Sequence, residues 1–336
     1  MKKTFIALAV IAGTVSGAAQ ATEVYKNDTT SIDLNGRFYS VVETVKANGH
    51  TNTDVKIDDS RLGMNLRHQA NDSLALIGKY ELQFTTAEDD SAFENRDAWA
   101  GFDFTNIGQL TFGRNSTVYD DFYLGGFDEY YGFSQTLADR GRDNGMIKFV
   151  SAPVFGGLTV AGNYQTRNEA ESIRGAYTAG VKYDFTFDES TLTIGLSNFD
   201  YDIINSSDHV TGQNLGAKYA LTDSFAVGAD YGLQNNRLAG AGKTKTAVDS
   251  DITLWRAGAE YTGFSDYRIY GGLGQVTVDD KTAAKKDGQG YYVGMSYNII
   301  PNAYVFAEYA SYDKDTLNAS GDAGSDKFAL GLNVNF

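Results

Sequence analysis

The stretch LALIGKYELQF, Leu74 to Phe84, decides the fold. Leu74, Leu76, Tyr80, Leu82 and Phe84 fall on one parity of position, and Lys79, Glu81 and Gln83 fall on the other. Successive side chains of an extended chain point to opposite faces, so this is a strand with one apolar and one polar face. The alternation continues outward from it. Upstream, Ile32, Leu34, Phe38 and Val42 oppose Asp33, Asn35, Arg37, Tyr39 and Glu43, while Leu62, Met64 and Leu66 oppose Arg61, Asn65 and Arg67. Downstream it recurs over residues 95–105, 108–115, 142–152, 156–167, 173–186, 189–201, 210–221 and 223–235. Segments near 250–263, 265–278, 287–299, 302–313 and 325–336 complete sixteen candidate strands.

The connections alternate in length. Short polar or glycine turns stand at Asn71-Asp72, Asn106 to Gly108, Pro153 to Gly157, Asp188-Glu189, Thr222-Asp223, Gly263 to Asp266 and Pro301-Asn302. Between them fall longer, often acidic connections at 46–56, 87–94, 115–141, 168–172, 202–209, 236–249, 279–286 and 314–324. Long loops at one end of an up-and-down sheet and short turns at the other are the layout of bacterial outer-membrane barrels. A soluble all-β chain alternates similarly, and the rings discriminate. Tyr164, Tyr183, Tyr219, Tyr231, Tyr261, Tyr297 and Tyr309 lie on the apolar face, mostly near strand ends, as interfacial girdles do. The expected fold is all-β: a 16-stranded antiparallel transmembrane β-barrel with short periplasmic turns and long extracellular loops.

Composition agrees with this class. Beyond the leader, no stretch approaches the roughly 18 to 20 apolar residues of a spanning helix. Thirty-seven glycines, 22 tyrosines and 20 phenylalanines accompany only two prolines, a mixture that suits close-packed strands. With no cysteine, disulfides and thiolate metal sites are excluded. At the N-terminus, Lys2 and Lys3 precede an apolar run from Phe5 to Ala12 and the small residues Ala19-Gln20-Ala21. That is the layout of a secretory signal peptide over residues 1–21, leaving 22–336 as the barrel domain. Losing Lys2 and Lys3 makes the formal charge of −15 more negative still, which disfavours nucleic acid as a partner.

The longest connection, NSTVYDDFYLGGFDEYYGFSQTLADRG from Asn115 to Gly141, is acidic and aromatic. A segment this long within a compact domain is a functional loop or disordered, and its aromatic content argues against disorder. Alternation puts Arg37, Arg61, Arg96 and Arg142 on lumen faces, with Lys79, Lys148 and Lys182, because a charge facing lipid at the midplane costs about 2 to 4 kcal/mol. The acids Asp33, Glu81, Asp184, Asp230, Glu260 and Glu308 share those faces. His50, His68 and His209 have no nucleophile motif nearby, so an enzyme is not expected. No metal or cofactor is expected either; the acid runs Glu88-Asp89-Asp90 and Asp279-Asp280 read as solvated loop charge.

Several segments resemble the general diffusion porins of Gram-negative outer membranes. They are TEVYKNDTTSIDLNGRF at 22–38, SRLGMNL from Ser60 to Leu66, RDAWAGFDF from Arg96 to Phe104, LTFGRN from Leu110 to Asn115, and KFALGLNVNF ending at Phe336. The resemblance implies a homotrimer, a third loop (115–141) folded into the lumen, and a last strand read by the barrel assembly machinery. It further implies a basic constriction wall of Arg37, Arg61, Arg96 and Arg142, with Arg140 as the competing register for the last. Asp120, Asp121, Asp128 and Glu129 are the acidic candidates on the loop. Here the chain departs from the family, since the usual proline-Glu-Phe-Gly-Gly run is absent and GGFDEYYG stands near its place. Phe122, Tyr123, Phe127, Tyr130 and Tyr131 are therefore alternative wall anchors. The connection 87–94 is the family's candidate for reaching a neighbouring subunit, and lipopolysaccharide and outer-membrane lipid are the expected surroundings.

The function that follows is passive diffusion of ions and small hydrophilic solutes, with a modest cation preference from the overall field. A substrate-selective porin, or an adhesion surface using the long loops, is the alternative. A saturable sugar site favours aromatic strips along the lumen, whereas these aromatics are expected mainly on the lipid face and in the third loop.

Overall fold

The computed structural model describes residues 22–86, 91–133, 141–166, 173–203, 209–238, 248–281, 283–315 and 324–336. The leader 1–21, the acid run at 88–90 and Arg140 lie outside them. Strands β1 (Thr22–Lys26), β2 (Thr30–Ala47), β3 (His50–Asn71), β4 (Leu74–Thr86), β5 (Ser91–Phe104) and β6 (Gly108–Ser116) lead to one helical turn, α1 (Val118–Asp121). Next come β7 (Arg142–Ser151), β8 (Leu158–Gln165), β9 (Ile173–Thr186), β10 (Thr191–Ile203), β11 (His209–Thr222) and β12 (Phe225–Leu238). The chain ends with β13 (Val248–Phe264), β14 (Tyr267–Asp280), β15 (Lys286–Ile300), β16 (Ala303–Tyr312) and β17 (Ser325–Asn335).

From β2 to β17 each strand pairs antiparallel with its neighbours in sequence, and β17 closes on β2 from Ser325↔Ala47 to Asn335↔Arg37. The result is the expected closed ring of sixteen strands. Closure leaves no sheet edge, which matters in lipid, where an unpaired backbone group has no water to bond. The seventeenth strand, β1, was not expected. Its five residues pair with β2 from Thr22↔Leu34 to Lys26↔Ser31, covering the part of β2 beyond the reach of β17. Gly36 N donates to Phe336 O at 2.8 Å and Phe336 N to Gly36 O at 3.0 Å, so β1 and the chain end share one side of β2.

The faces divide as the alternation requires. Leu62, Leu215, Leu273 and Leu330 stand exposed outside, whereas Glu81, Lys148, Asp230 and Glu308 are buried inside. This inverts a soluble protein and matches a wall between lipid and an aqueous lumen. Two local departures matter. The expected long connection at 46–56 is not a loop: β2 and β3 run through it to a two-residue turn at Asn48-Gly49, with φ 51° and 79°. Two positive φ values are what a tight hairpin turn between twisted strands demands, and the Thr44 and Thr53 hydroxyls meet across it at 3.0 Å. Within β3, pairing to β2 steps from Arg37↔Arg61 to Ser40↔Ile57, and pairing to β4 from Ser60↔Phe84 to Ile57↔Thr86. One extra residue has entered β3, a bulge at Asp58-Asp59, with Asp59 at φ 45°.

Leu215→Arg places a cation on the outer face at mid-strand. It lowers stability in lipid vesicles by about 2–4 kcal/mol, read from the urea unfolding midpoint; an unchanged midpoint contradicts the outward assignment.

Candidate functional site

After β6 the segment 117–133 packs against side chains of the wall strands. Thr117 caps α1, its hydroxyl accepting from Asp120 N at 3.1 Å. Val118 N donates to Asn163 Oδ1 at 2.8 Å and to Thr178 Oγ1 at 3.2 Å, tying the helix to β8 and β9. Lys148 Nζ reaches from β7 to Ser116 O at 2.9 Å and to Asp121 Oδ2 at 2.5 Å. Asp121 is thereby committed to a wall lysine.

Two wall carboxylates hold the rest of the segment. Asp230 on β12 accepts from Leu124 N at 3.0 Å and from Gly125 N at 2.6 Å, and Arg256 Nε bonds the same carboxylate at 2.7 Å. Glu308 on β16 is 1% exposed and accepts from three successive amides, Glu129 N, Tyr130 N and Tyr131 N, at 2.9, 3.1 and 2.7 Å. Tyr270 Oη adds a fourth donor at 2.8 Å. Between the two anchors, Phe127 N donates to Tyr292 Oη at 3.0 Å and Arg268 Nη2 to Phe127 O at 2.6 Å. Each such hydrogen bond contributes on the order of 1 kcal/mol net, so together these sites fix the path of the chain.

The wall is shaped to receive it. Glycines occupy inward positions where any side chain would collide with the segment: a Cβ on Gly180 would lie 2.7 Å from the Phe122 ring, one on Gly228 3.2 Å from Gly125 Cα, and one on Gly258 2.9 Å from the Phe127 ring. Gly216 faces Leu124, and Gly274 and Gly290 face Phe133, in the same way. Consecutive strands thus donate a shallow channel in which the loop lies. The high glycine count was legible in the sequence, but its use as a seat depends on the loop's path.

Phe122, Phe127 and Phe133 are buried, and Tyr130 stacks with Tyr39 at 6.2 Å between centroids. The loop aromatics at these positions are wall anchors. The expectation that aromatics lie mainly on the lipid face and in the third loop needs an addition: Tyr39, Phe199, Tyr270, Tyr292, Tyr304 and Phe306 on the wall strands face inward. Each is buried, so none forms an open strip for a sugar ring.

The opposite wall, β2 to β7, carries the four predicted arginines as one chain of alternating charge. Arg37 and Arg61 both pair with the Asp59 carboxylate, and Arg37 Nε also bonds Asp59 O at 2.8 Å. Arg96 Nη1 lies 3.8 Å from Asp59 Oδ1, with its Nε 3.0 Å from Glu81 Oε1. Lys79 bridges Glu81 at 3.2 Å and Asp97 at 2.6 Å, and Arg142 Nε bonds Asp97 Oδ1 at 3.0 Å. Strict alternation assigns Asp58 and Asp59 to opposite faces. The bulge turns both inward, Asp59 to the arginines and Asp58 to the Tyr130 hydroxyl at 2.8 Å.

The predicted loop acids do not gather into one patch. Asp128 is exposed. Asp120 faces Arg142 and Arg96; burial and then the like charge of Asp121 push its carboxyl above the usual range, with those arginines opposing. Glu129 accepts from Tyr304 Oη at 2.5 Å and lies 3.3 Å from Arg268 Nη1. Burial pushes it up too, against the Tyr304 hydroxyl, Arg268 and Arg37. His68 meets Thr30 Oγ1 at 2.8 Å and His209 meets Asp200 at 3.2 Å.

Comparison with known proteins places this architecture. A family model described as Gram-negative porin matches residues 7–317. Outer membrane porin PhoE of Escherichia coli K12 is 26% identical with full coverage of both chains. Among solved structures, OmpT of Vibrio cholerae in its trimer form superposes with TM-score 0.69 at 20% identity, covering 92% of this chain and 100% of that one. OmpF of Salmonella typhi, solved in complex with daunomycin, gives TM-score 0.72 at 19% identity, over 94% and 100%. A closed sixteen-strand barrel, apolar outside and charged within, coincides with a family match along most of the sequence: the chain belongs to the Gram-negative porins, and it is an outer-membrane channel for the diffusion of solutes.

Proposed function

We propose that the channel is narrowed to a charged slit between the segment 117–133 and the wall of Arg37, Arg61, Arg96 and Arg142. The observation that carries this reading is the anchoring of the segment on Asp230 and Glu308. Tied to that side of the lumen, it faces the arginine wall across the remaining space. Cations on one side and Asp120 and Asp128 on the other set a field across the slit, in which polar solutes align while apolar ones lose water. The functional unit is a homotrimer, a reading supported by the trimer form of OmpT. Lipopolysaccharide and outer-membrane lipid contact the apolar outer face, and the last strand serves the barrel assembly machinery; the outward Phe328, Leu330 and Leu332 support both.

Passive diffusion is favoured over a saturable site because the inward aromatics of the wall strands, Tyr39, Phe199, Tyr270, Tyr292, Tyr304 and Phe306, are buried. In planar bilayers the unitary conductance rises in proportion to salt concentration, and small sugars do not block it. Saturation of the current, or block at low solute concentration, contradicts the reading.

The balance of the slit depends on pH. A carboxyl raised above the usual range accepts its proton at higher pH than an ordinary one, so Asp120, like Glu129, loses its negative charge early on acidification. Cation preference, measured as a reversal potential in a salt gradient, therefore declines as pH falls from neutral, beginning above the ordinary carboxylate range. Asp120→Asn removes the share of that early decline that Asp120 carries. An identical profile in the variant contradicts the assignment.

A further inference from the structure

We infer that Asp59 is a specificity-determining residue: a counter-charge built into the arginine wall that holds back anion preference. The inference deepens the reading of that wall as one side of the slit, and rests on it. Three features point to Asp59. Its carboxylate is the shared partner of Arg37 and Arg61 and lies 3.8 Å from Arg96, so one negative charge serves three guanidiniums. It reaches that place through a bulge that interrupts pairing on both flanks of β3, with φ 45° at Asp59 itself. A left-handed backbone is uncommon for a residue with a side chain, although Asp tolerates it better than most, and bulges recur where a side chain must be re-aimed. Finally, its side chain keeps 29% of its surface, while Glu81 beside it keeps 10% and Asp97 keeps 5%. Of the three wall acids, Asp59 is the most open to the lumen.

The consequence follows from the charges. Arg37, Arg61 and Arg96 face the lumen with Asp59 and Glu81 among them, so removing Asp59 doubles the net positive charge of that group from one to two. The same carboxylate draws the Arg37 and Arg61 head groups back against β3, and Asp59 O holds Arg37 Nε as well. Neutralising it raises the positive potential at this part of the wall and loosens Arg61 toward the slit, while Asp59 O still holds Arg37 Nε. Fields in a cleft with low-dielectric walls are focused, and small changes of fixed charge alter local ion concentrations strongly.

The test uses reversal potentials of the purified channel in a KCl gradient. Asp59→Asn lowers the K⁺/Cl⁻ permeability ratio by about threefold, Arg61→Gln raises it, and the double variant returns toward the parent value. If Arg61→Gln shifts the ratio and Asp59→Asn does not, the wall sets selectivity without Asp59 and the inference is overturned. If neither shifts it, the reading of the wall itself fails, and the inference with it. The chain has no cysteine, which gives a second route within one folded channel. Asp59→Cys treated with an anionic methanethiosulfonate regains cation preference, and treated with a cationic one becomes more anion-selective. Equal currents with both reagents overturn the inference.

Discussion

A carboxylate buried in a barrel wall must find donors, and Glu308 finds them in the backbone of a loop that begins ten strands earlier in the chain. Three successive amides and a tyrosine hydroxyl converge on it. Asp230 does the same for two amides further back along the loop. Removing either carboxylate strands amide donors under the loop, at about 1–3 kcal/mol for each one left unsatisfied. The loop needs these acceptors because its own backbone forms only one helical turn among the described residues. Wall and loop therefore complete each other's hydrogen bonding.

Packing supports the polar anchors. The glycines of β9 and β11 to β15 let backbone approach backbone, and Phe122, Phe127 and Phe133 fill the space that opens. The opposite wall is organised on another principle, with cations and acids interleaved so that each of Arg37, Arg61, Arg96 and Arg142 has a carboxylate beside it. A wall of this kind is polar everywhere yet only moderately positive, which suits passage of small hydrated solutes of either sign.

Much of this was legible in the sequence, for a physical reason. A wall between lipid and water imposes period-two alternation on every strand, so the sixteen strands, the short turns and the inward set of Arg37, Arg61, Arg96 and Arg142 could be placed from residues alone. Asp230 and Glu308 could be placed on lumen faces too, but not their partners, since these depend on the path of a loop that lacks the family's usual proline-Glu-Phe-Gly-Gly run. The Asn48-Gly49 hairpin was hidden because polar residues near a strand tip alternate weakly. Asp59 was hidden because one inserted residue breaks the parity on which the reading relied. The role of Glu129 as an anchor to Tyr304 and Arg268 was likewise outside what alternation reveals.

The central claim is that a loop bound to one wall sets the width of the channel. Single-channel conductance of a variant lacking Tyr123 to Phe133 tests it most directly, once the variant is shown to keep the heat-resistant mobility of a folded barrel. The account predicts a larger conductance and entry of larger neutral sugars than the parent channel admits. A folded variant with unchanged conductance and the same size limit would contradict it.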